Sequence, residues 1–267
     1  MLELEMVFAF LLLGALVGFV AGLLGVGGGG IMVPILTSLF LHQGIIMNNV
    51  MHLALGTSMA CIIITSISSL RAHHKKRAVD WEVVRKMSFG IIIGTFASTF
   101  IASYLSSFYL AMFFTLFMAF IAIKMLFHKQ VIQTKETFGT ANLLISSTGI
   151  GAISALVSIG GGSLTVPYLV ANNIDIKKAI GTSAAIGLPI SLAGTCGYLI
   201  NGWNSGIETN YSLGFIYLPA VLLISVTSFL TAPYGVKASH YLPVSILKKL
   251  FALLLVLLSL KMFLTIM

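Results

Sequence analysis

The chain has 267 residues, of which 58% are hydrophobic and 8% are charged, and its mean hydropathy is +1.06. Soluble proteins carry roughly 25% charged residues, so this composition leaves no room for a soluble domain and predicts a protein integral to a membrane. The net charge of +8 lies in clusters at the ends of apolar segments, which indicates membrane topology and not nucleic-acid binding.

Ten apolar segments follow one another and predict an all-α integral membrane fold with two homologous repeats, at 1–130 and 131–267. Each repeat has four long segments and one short segment, which comes second. The short segments, 31–41 and 164–171, are below the roughly 20 residues that cross a membrane. The long segments are 8–24, 53–70, 87–105, 108–127, 141–157, 179–200, 213–234 and 244–266.

A run of glycines precedes each short segment, and Val-Pro follows both times. Gly27 and Gly160 stand 133 positions apart within these runs, which indicates an internal duplication. Glycines in series should interrupt a helix, since each weakens it by roughly 1 kcal/mol relative to alanine. In a membrane such a break is tolerated only against protein or a watery cavity, and the N-terminus of the next helix suits an anion. The alternative is that the glycines only let helices pack closely.

A second repeated motif, Gly-Thr-Ser at 56–58 and 181–183, offers hydroxyls downstream of each glycine run. Such hydroxyls can bind a polar ligand, but those of membrane helices also bond neighbouring helices or their own backbone. Both interpretations stay open from the sequence. The candidate substrate-binding residues are Gly27, Gly28, Gly29, Gly30, Thr57, Ser58, Gly160, Gly161, Gly162, Ser163, Thr182 and Ser183.

Titratable side chains give few further candidates. Every Asp and Glu falls at a predicted loop, helix end or terminus, so a buried acidic relay like those of coupled carriers is not expected. His42, His52 and His240 remain. Lys237 is expected to reach the membrane interface, and the alternative is that it attracts an anion electrostatically.

No cofactor, metal site or catalytic residue is predicted. His73 and His74 lie among cations and have no third ligand at a fitting spacing, which opposes a metal site. The sequence has no nucleophile elbow, no His-Glu-x-x-His motif and no Walker lysine. The chain is therefore not expected to be an enzyme.

The basic residues predict how the repeats are oriented, since cytoplasmic loops are enriched in Lys and Arg. The basic run 71–77 marks an inside loop in the first half. In the second half, the lysines at 177–178, 237 and 248–249 mark loops whose first-half equivalents lie outside. We therefore expect inverted repeats with the N-terminus outside. The alternative merges each glycine-broken pair into one span and gives parallel repeats of four spans each.

Several motifs together carry a likeness to a known family. They are the two glycine runs ending in Val-Pro, the two Gly-Thr-Ser motifs, and the stretches 69–74, 187–189 and 197–198. These motifs resemble those of the TauE/SafE sulfite-exporter family, and the resemblance covers nearly the whole chain. One departure is that Ser158 and Ser163 stand where the first run has Gly25 and Gly30, so the two half-sites are not equivalent.

The resemblance implies a secondary transporter of the cell inner membrane that moves small sulfur-containing oxyanions, such as sulfite or organosulfonates, without ATP. The anion would bind at the glycine-broken helix N-termini between the repeats. The expected partners are the small anion and the lipid bilayer, with a proton or sodium as candidate coupling ion and a homo-oligomer left open. The alternative functions are a membrane subunit that recruits a partner through its basic loop and an intramembrane enzyme.

Overall fold

Ten helices and one small hairpin form the described part of the chain. The computed structural model describes residues 4–25, 27–127, 140–203, 211–241 and 244–266. The helices are α1 (Leu4–Leu24), α2 (Gly29–His42), α3 (Met47–Lys75), α4 (Trp81–Tyr104), α5 (Ser107–Phe127), α6 (Thr140–Val157), α7 (Gly162–Ala171), α8 (Ile176–Gly202), α9 (Leu218–Tyr241) and α10 (Val244–Ile266), and the antiparallel hairpin pairs β1 (Ser212–Leu213) with β2 (Ile216–Tyr217).

Each helix overlaps a predicted apolar segment, although α3 begins at Met47 and α4 at Trp81, six residues before the predicted starts at 53 and 87, and one segment needs a further correction. The segment predicted to begin at 213 starts with the hairpin, and α9 begins only at Leu218. The cause is local, because Gly214 has a φ of +54°, a left-handed conformation that closes a turn and does not continue a helix.

The helices are those of a multi-pass membrane protein. Among the described residues, six helices are long and apolar enough to cross a membrane, namely α1, α3, α4, α5, α8 and α9. α6 and α10 contribute the shorter apolar stretches Asn142–Val157 and Ala252–Thr265. Polar backbone groups cannot be hydrated in lipid, so a helical chain is the expected solution.

The two longest helices, α3 and α8, cross antiparallel at the centre of the bundle. Gly187 lies against Ser66, and Gly194 lies against Met59, so residue numbers rise along one helix as they fall along the other. α5 and α10 are also antiparallel neighbours. They are joined by a hydrogen bond of 3.1 Å from the Ser259 hydroxyl to a carbonyl of α5.

Two other pairs of helices run parallel across close glycine contacts. α1 lies along α9, and α6 lies along α4. In the first pair, a Cβ added to the glycines of α1 would collide with successive carbonyl oxygens of α9, so only glycine permits this spacing. The colliding pairs are Gly14 with Ile224, Gly18 with Ser228 and Gly22 with Ala232.

All but one of the described lysines and arginines lie at one end of the bundle, which we call the basic end. α3 and α9 end there, while α4, α8 and α10 begin there. Partial burial and the nearby charge of Lys237 lower the pKa of Lys76, since the ends of α3 and α9 meet. Lys261 is the exception, and the cations of the basic end are Arg71, Lys75, Lys76, Arg77, Arg85, Lys86, Lys124, Lys177, Lys178, Lys237 and Lys249.

Candidate functional site

The two glycine runs meet at the centre of the bundle. A Cβ added to Gly27 would stand 2.7 Å from the Cα of Gly160, and one added to Gly29 would collide with the carbonyl oxygen of Ser158. Ile62, midway along α3, lies beside the same two glycines of the first run. Only residues without a side chain allow two backbones to approach this closely.

The chain reverses direction at the first run. α1 continues to Leu24, but Gly28 lies back alongside Val17, and α2 then runs away from the basic end. Phe10 of α1 and Phe40 of α2 both contact the ring of Tyr217, at centroid distances of 6.3 and 5.5 Å. α1 and α2 therefore form a helical hairpin and not one interrupted span.

The second run gives the opposite direction to its short helix. α7 begins beside Ile186 and Ile190 of α8 and ends just before α8 starts at the basic end. α2 leads away from the basic end and α7 leads toward it. Because the two glycine runs touch at Gly27 and Gly160, both helix N-termini lie at mid-bundle. Their positive dipole ends are therefore close together.

Each short helix begins without a side-chain cap. Gly28 precedes α2 with a φ of +81°, and Gly161 precedes α7 with a φ of +88°. As glycines, these N-cap residues have no side chain that could accept a hydrogen bond from the first-turn amides. The first N–H groups of a helix have no partner within it, so both ends can donate hydrogen bonds to an anion.

Hydroxyl groups tie each break to the central helix of the other half. The Ser183 hydroxyl donates to the carbonyl of Gly25 (3.1 Å), and the Ser158 hydroxyl donates to the carbonyl of Leu55 (3.3 Å). Ser158 has a φ of +48° and Gly25 one of +67°, so the serine keeps the left-handed conformation of its glycine counterpart. Ser58, the counterpart of Ser183, is fully buried, and its hydroxyl has no hydrogen-bond partner in the described part of the chain.

Thr57 and Thr182 bind backbone groups at the starts of other helices. The Thr57 hydroxyl accepts a hydrogen bond of 2.9 Å from the N–H of Tyr217, just before α9. The Thr182 hydroxyl accepts one of 2.9 Å from the N–H of Asp80, just before α4. The structure thus gives both threonine hydroxyls a helix-docking contact, with backbone groups outside the two glycine runs.

The glycine before each threonine takes part in the same contact. A Cβ on Gly56 would collide with the carbonyl oxygen of Phe215, and one on Gly181 would collide with that of Ala78. We call the contact of 56–57 with 215–217 the outer latch, and that of 181–182 with 78–80 the inner latch. The inner latch lies at the basic end and the outer latch lies toward the other end. Both are engaged in this structure.

The first turns of α7 carry two hydroxyls that have no partner among the described residues. Ser163 is 7% exposed and Thr165 is 0% exposed, and neither hydroxyl makes a hydrogen bond there. The Thr165 hydroxyl lies 3.2 Å from the position of a Cβ on Gly161, which places it beside the N-terminus of the helix. Buried hydroxyls are normally paired, so these two are candidate ligand donors.

The structure does not bring the remaining sequence candidates to the glycine runs. Lys237 is exposed, and its ammonium lies 5.6 Å from the ring centroid of Tyr234, as expected for a lysine that reaches the interface. His42 is exposed at the end of α2. His52 is buried with a ring nitrogen 3.0 Å from a carbonyl near the end of α4. The side chain of His240 lies outside the described residues.

The sequence candidates include the glycine runs and Ser163 but not Thr165, and they include Gly187 only within a motif that carries the family resemblance. Thr165 lies four residues after Gly161, so a helix returns it to the same face, and this spacing could have identified it. Gly187 packs on the second glycine run. It lies 125 positions after Ile62, the same offset as between the Gly-Thr-Ser motifs, and Ile62 lies beside the first glycine run, so the two residues have equivalent places in the two halves.

The family model described as "Sulfite exporter TauE/SafE" matches residues 10–262. The chain belongs to this family. The match includes both glycine runs, both Gly-Thr-Ser motifs and parts of all ten described helices. The resemblance seen in the motifs is therefore confirmed.

Curated relatives of this TauE/SafE chain are named as transporters. A "Probable membrane transporter protein" of Haemophilus influenzae is 40% identical over 95% of this chain and 97% of its own length. A protein of the same description from Methanocaldococcus jannaschii is 27% identical over 86% of this chain and 85% of its own length. No solved structure matches the chain. The chain is a multi-pass membrane transporter and not an enzyme.

Proposed function

We propose that this TauE/SafE protein is a secondary transporter for small sulfur-containing oxyanions, such as sulfite or organosulfonates, which bind where the two glycine runs meet. The direct contact of Gly27 with Gly160 carries the proposal, because it brings two uncapped helix N-termini together in the middle of a membrane protein. Transporters commonly bind substrates at interrupted helices near the bilayer midplane. Compact oxyanions fit amide and hydroxyl donors, and the name of the family supports sulfite as one such substrate.

We propose that the two halves, 1–130 and 131–267, are inverted repeats. Two observations support this arrangement. α3 and α8 are counterparts and run antiparallel, and so do α5 and α10. The pairing of α1 with α9 also matches that of α6 with α4. A two-fold axis in the membrane plane would produce this pattern.

The basic end would then face the cytoplasm, because Lys and Arg are enriched on that side of the membrane. This orientation places the N-terminus outside and fits a protein of the cell inner membrane. A proton or sodium ion is the candidate coupling ion. The small anion and the lipid bilayer are the partners that the proposal requires.

Alternating access would use the two latches. The outer latch holds the β1–β2 hairpin and the start of α9 against α3. The inner latch holds the start of α4 against α8. Opening one latch while the other stays closed would expose the glycine runs to one side at a time. Rocking of one repeat against the other is the usual way in which such folds alternate.

Flux of radiolabelled sulfite into liposomes that contain the purified protein tests the proposal. Gly28→Val combined with Gly161→Val should abolish the flux, because valine is strained at these left-handed positions and its side chain would cover both N-termini. Gly149→Val is the matched control, since this glycine is exposed on α6 and has open space around it.

The amount of monodisperse protein is measured for each variant. If the double variant does not fold, Gly161→Ala replaces it, because alanine is also strained at this left-handed position but adds a single carbon, next to side-chain atoms of Ile190, Thr165 and Ile186 that can shift. Flux that survives in a folded variant would contradict the site. Wild-type protein that moves no more sulfite than empty liposomes would contradict the proposed substrate.

A further inference from the structure

We infer that the ligand is a single monoanion held in one half-site, the N-terminal turns of α7, and not shared equally by both breaks. This inference rests on the proposed function and adds the place and the charge of the bound anion. The short helices are counterparts, but their side chains and surroundings differ in ways that matter to an anion.

The half-site on α7 has donors that lack acceptors. Ser163 and Thr165 are at least nine-tenths buried, and their hydroxyls have no hydrogen-bond partner in the described part of the chain. The Thr165 hydroxyl lies beside Gly161 at the start of the helix. The N–H groups of Leu164 and Thr165 already bond the carbonyl of Gly161, so the first two amides of α7 are the ones that have no partner within the helix. A buried hydroxyl without a partner is costly, and an oxyanion bound here would accept from both hydroxyls and from the helix N-terminus.

The counterpart on α2 offers no such donors. Gly30 and Met32 occupy the positions of Ser163 and Thr165, 133 residues earlier. Met118 from α5 covers Gly30, with its methyl carbon 2.8 Å from the position of an added Cβ, and Leu255 from α10 lies 3.7 Å away. An anion at this N-terminus would meet a thioether and an aliphatic chain.

The two short helices also differ in how fully the surrounding protein covers them, and α2 is the more fully covered one. Ile31, Val33 and Pro34 of α2 are buried, and α10 packs along this helix. The counterparts of these residues in α7 are all half-buried, namely Leu164, Val166 and Pro167. The outer face of α7 is therefore less covered by protein than that of α2, and α7 leads from the centre to the basic end.

The charges of the described residues limit the ligand to a monoanion. Every described lysine and arginine except Lys261 lies at the basic end, so helix dipoles and hydrogen bonds must balance the ligand charge. A helix N-terminus supplies about half an elementary charge. Burial of an unbalanced second charge is strongly unfavourable. We therefore expect an alkylsulfonate or hydrogen sulfite to bind, and sulfate to be rejected.

Binding of methanesulfonate and of sulfate to the detergent-solubilised full chain, measured by calorimetry, tests this inference. Methanesulfonate should bind at least about tenfold more tightly than sulfate. Ser163→Ala and Thr165→Val should each weaken methanesulfonate binding about tenfold, the usual effect of a lost hydrogen bond to a charged group. Thr37→Val is the matched control on α2, because its hydroxyl donates to the carbonyl of Val33 (2.8 Å), and its affinity should stay within about twofold.

Sulfate that binds as tightly as methanesulfonate would contradict the inference that the ligand is a monoanion, but it would leave the proposed function intact. Equal losses of methanesulfonate affinity in Thr165→Val and Thr37→Val would contradict the assignment of the site to α7. Unchanged affinity in both α7 variants would contradict it as well. If neither anion binds and liposomes show no sulfite flux, the proposed function fails together with the inference. The thermal unfolding midpoint of each variant separates lost binding from lost folding.

Discussion

The serine and the threonine of the repeated Gly-Thr-Ser motif differ in how far their hydrogen-bond partners repeat between the two halves. Ser183 donates to a carbonyl of the first glycine run, whereas its counterpart Ser58 has no partner among the described residues. Thr57 and Thr182, in contrast, make the same contact twice, each accepting from a backbone N–H at the start of a helix. The hydrogen bonds of the two threonines are therefore equivalent in the two halves, whereas those of the two serines differ.

Thr57→Val and Thr182→Val should each destabilise one latch. Each change leaves a backbone N–H without its acceptor, which costs about 1–3 kcal/mol. The thermal unfolding midpoint should fall by about 2–4 °C for each kcal/mol lost. Thr115→Val is the control, because this buried hydroxyl donates only to the carbonyl of Ala111 in its own helix (2.8 Å). Equal shifts in all three variants would contradict the latch assignment.

The sequence could not assign these roles to the threonines. Gly-Thr-Ser is equally consistent with ligand binding and with helix docking, because both need a small residue followed by hydroxyls. The partners lie far away along the chain, with Thr57 binding Tyr217 and Thr182 binding Asp80. Only the folded arrangement of α3 and α8 brings these groups together. Ser163, in contrast, could be proposed from the sequence, because it replaces a glycine within a repeated run.

Glycine has two different uses among the helices. In the two glycine runs it supplies left-handed backbone just before a helix begins, as at Gly28 and Gly161. Along α1 it stays helical and brings the helix close to α9, as at Gly18. The first use places polar amides at the centre. The second fixes the hairpin of α1 and α2 against the second half, so the breaks are held in position.

Gly18→Leu should prevent correct packing of α1 on α9. Its side chain would collide with the carbonyl of Ser228 and the hydroxyl of Thr231, and backbone atoms cannot give way without separating the helices. Overpacking of a tight contact costs about 1–3 kcal/mol or more, so the yield of monodisperse protein and its unfolding midpoint should both fall. Gly149→Leu should be tolerated, because nothing lies near that glycine. Similar behaviour of the two variants would contradict the packing described.

The helices themselves were largely predictable. Apolar runs of membrane-spanning length leave few alternatives to helix, and the predicted segments therefore match all ten described helices. The hairpin at 212–217 was missed, because its apolar residues continue the hydropathy of α9 and only Gly214 indicates a turn. The reversal of α2 was also not evident, since a glycine run indicates a break but not the direction that the chain takes after it.

For the whole molecule, opposite orientation of the two halves is the central claim. In inverted repeats, α2 and α7 start at the same central point and run in opposite directions. Their N-termini therefore meet there. Parallel repeats would place the two breaks at equivalent depths with both short helices pointing the same way. The anion site, the latches and alternating access all depend on this orientation.

Cysteine labelling just after α4 and at the last residue of α9 tests the orientation most directly. Ser106→Cys and Tyr241→Cys are placed singly in a Cys196→Ser background, because Cys196 is exposed and Cys61 is buried. Both target residues are exposed. An impermeant maleimide should label Ser106→Cys only from outside the cell and Tyr241→Cys only from the cytoplasmic side. Labelling of both variants from the same side would contradict inverted repeats and the site built on them.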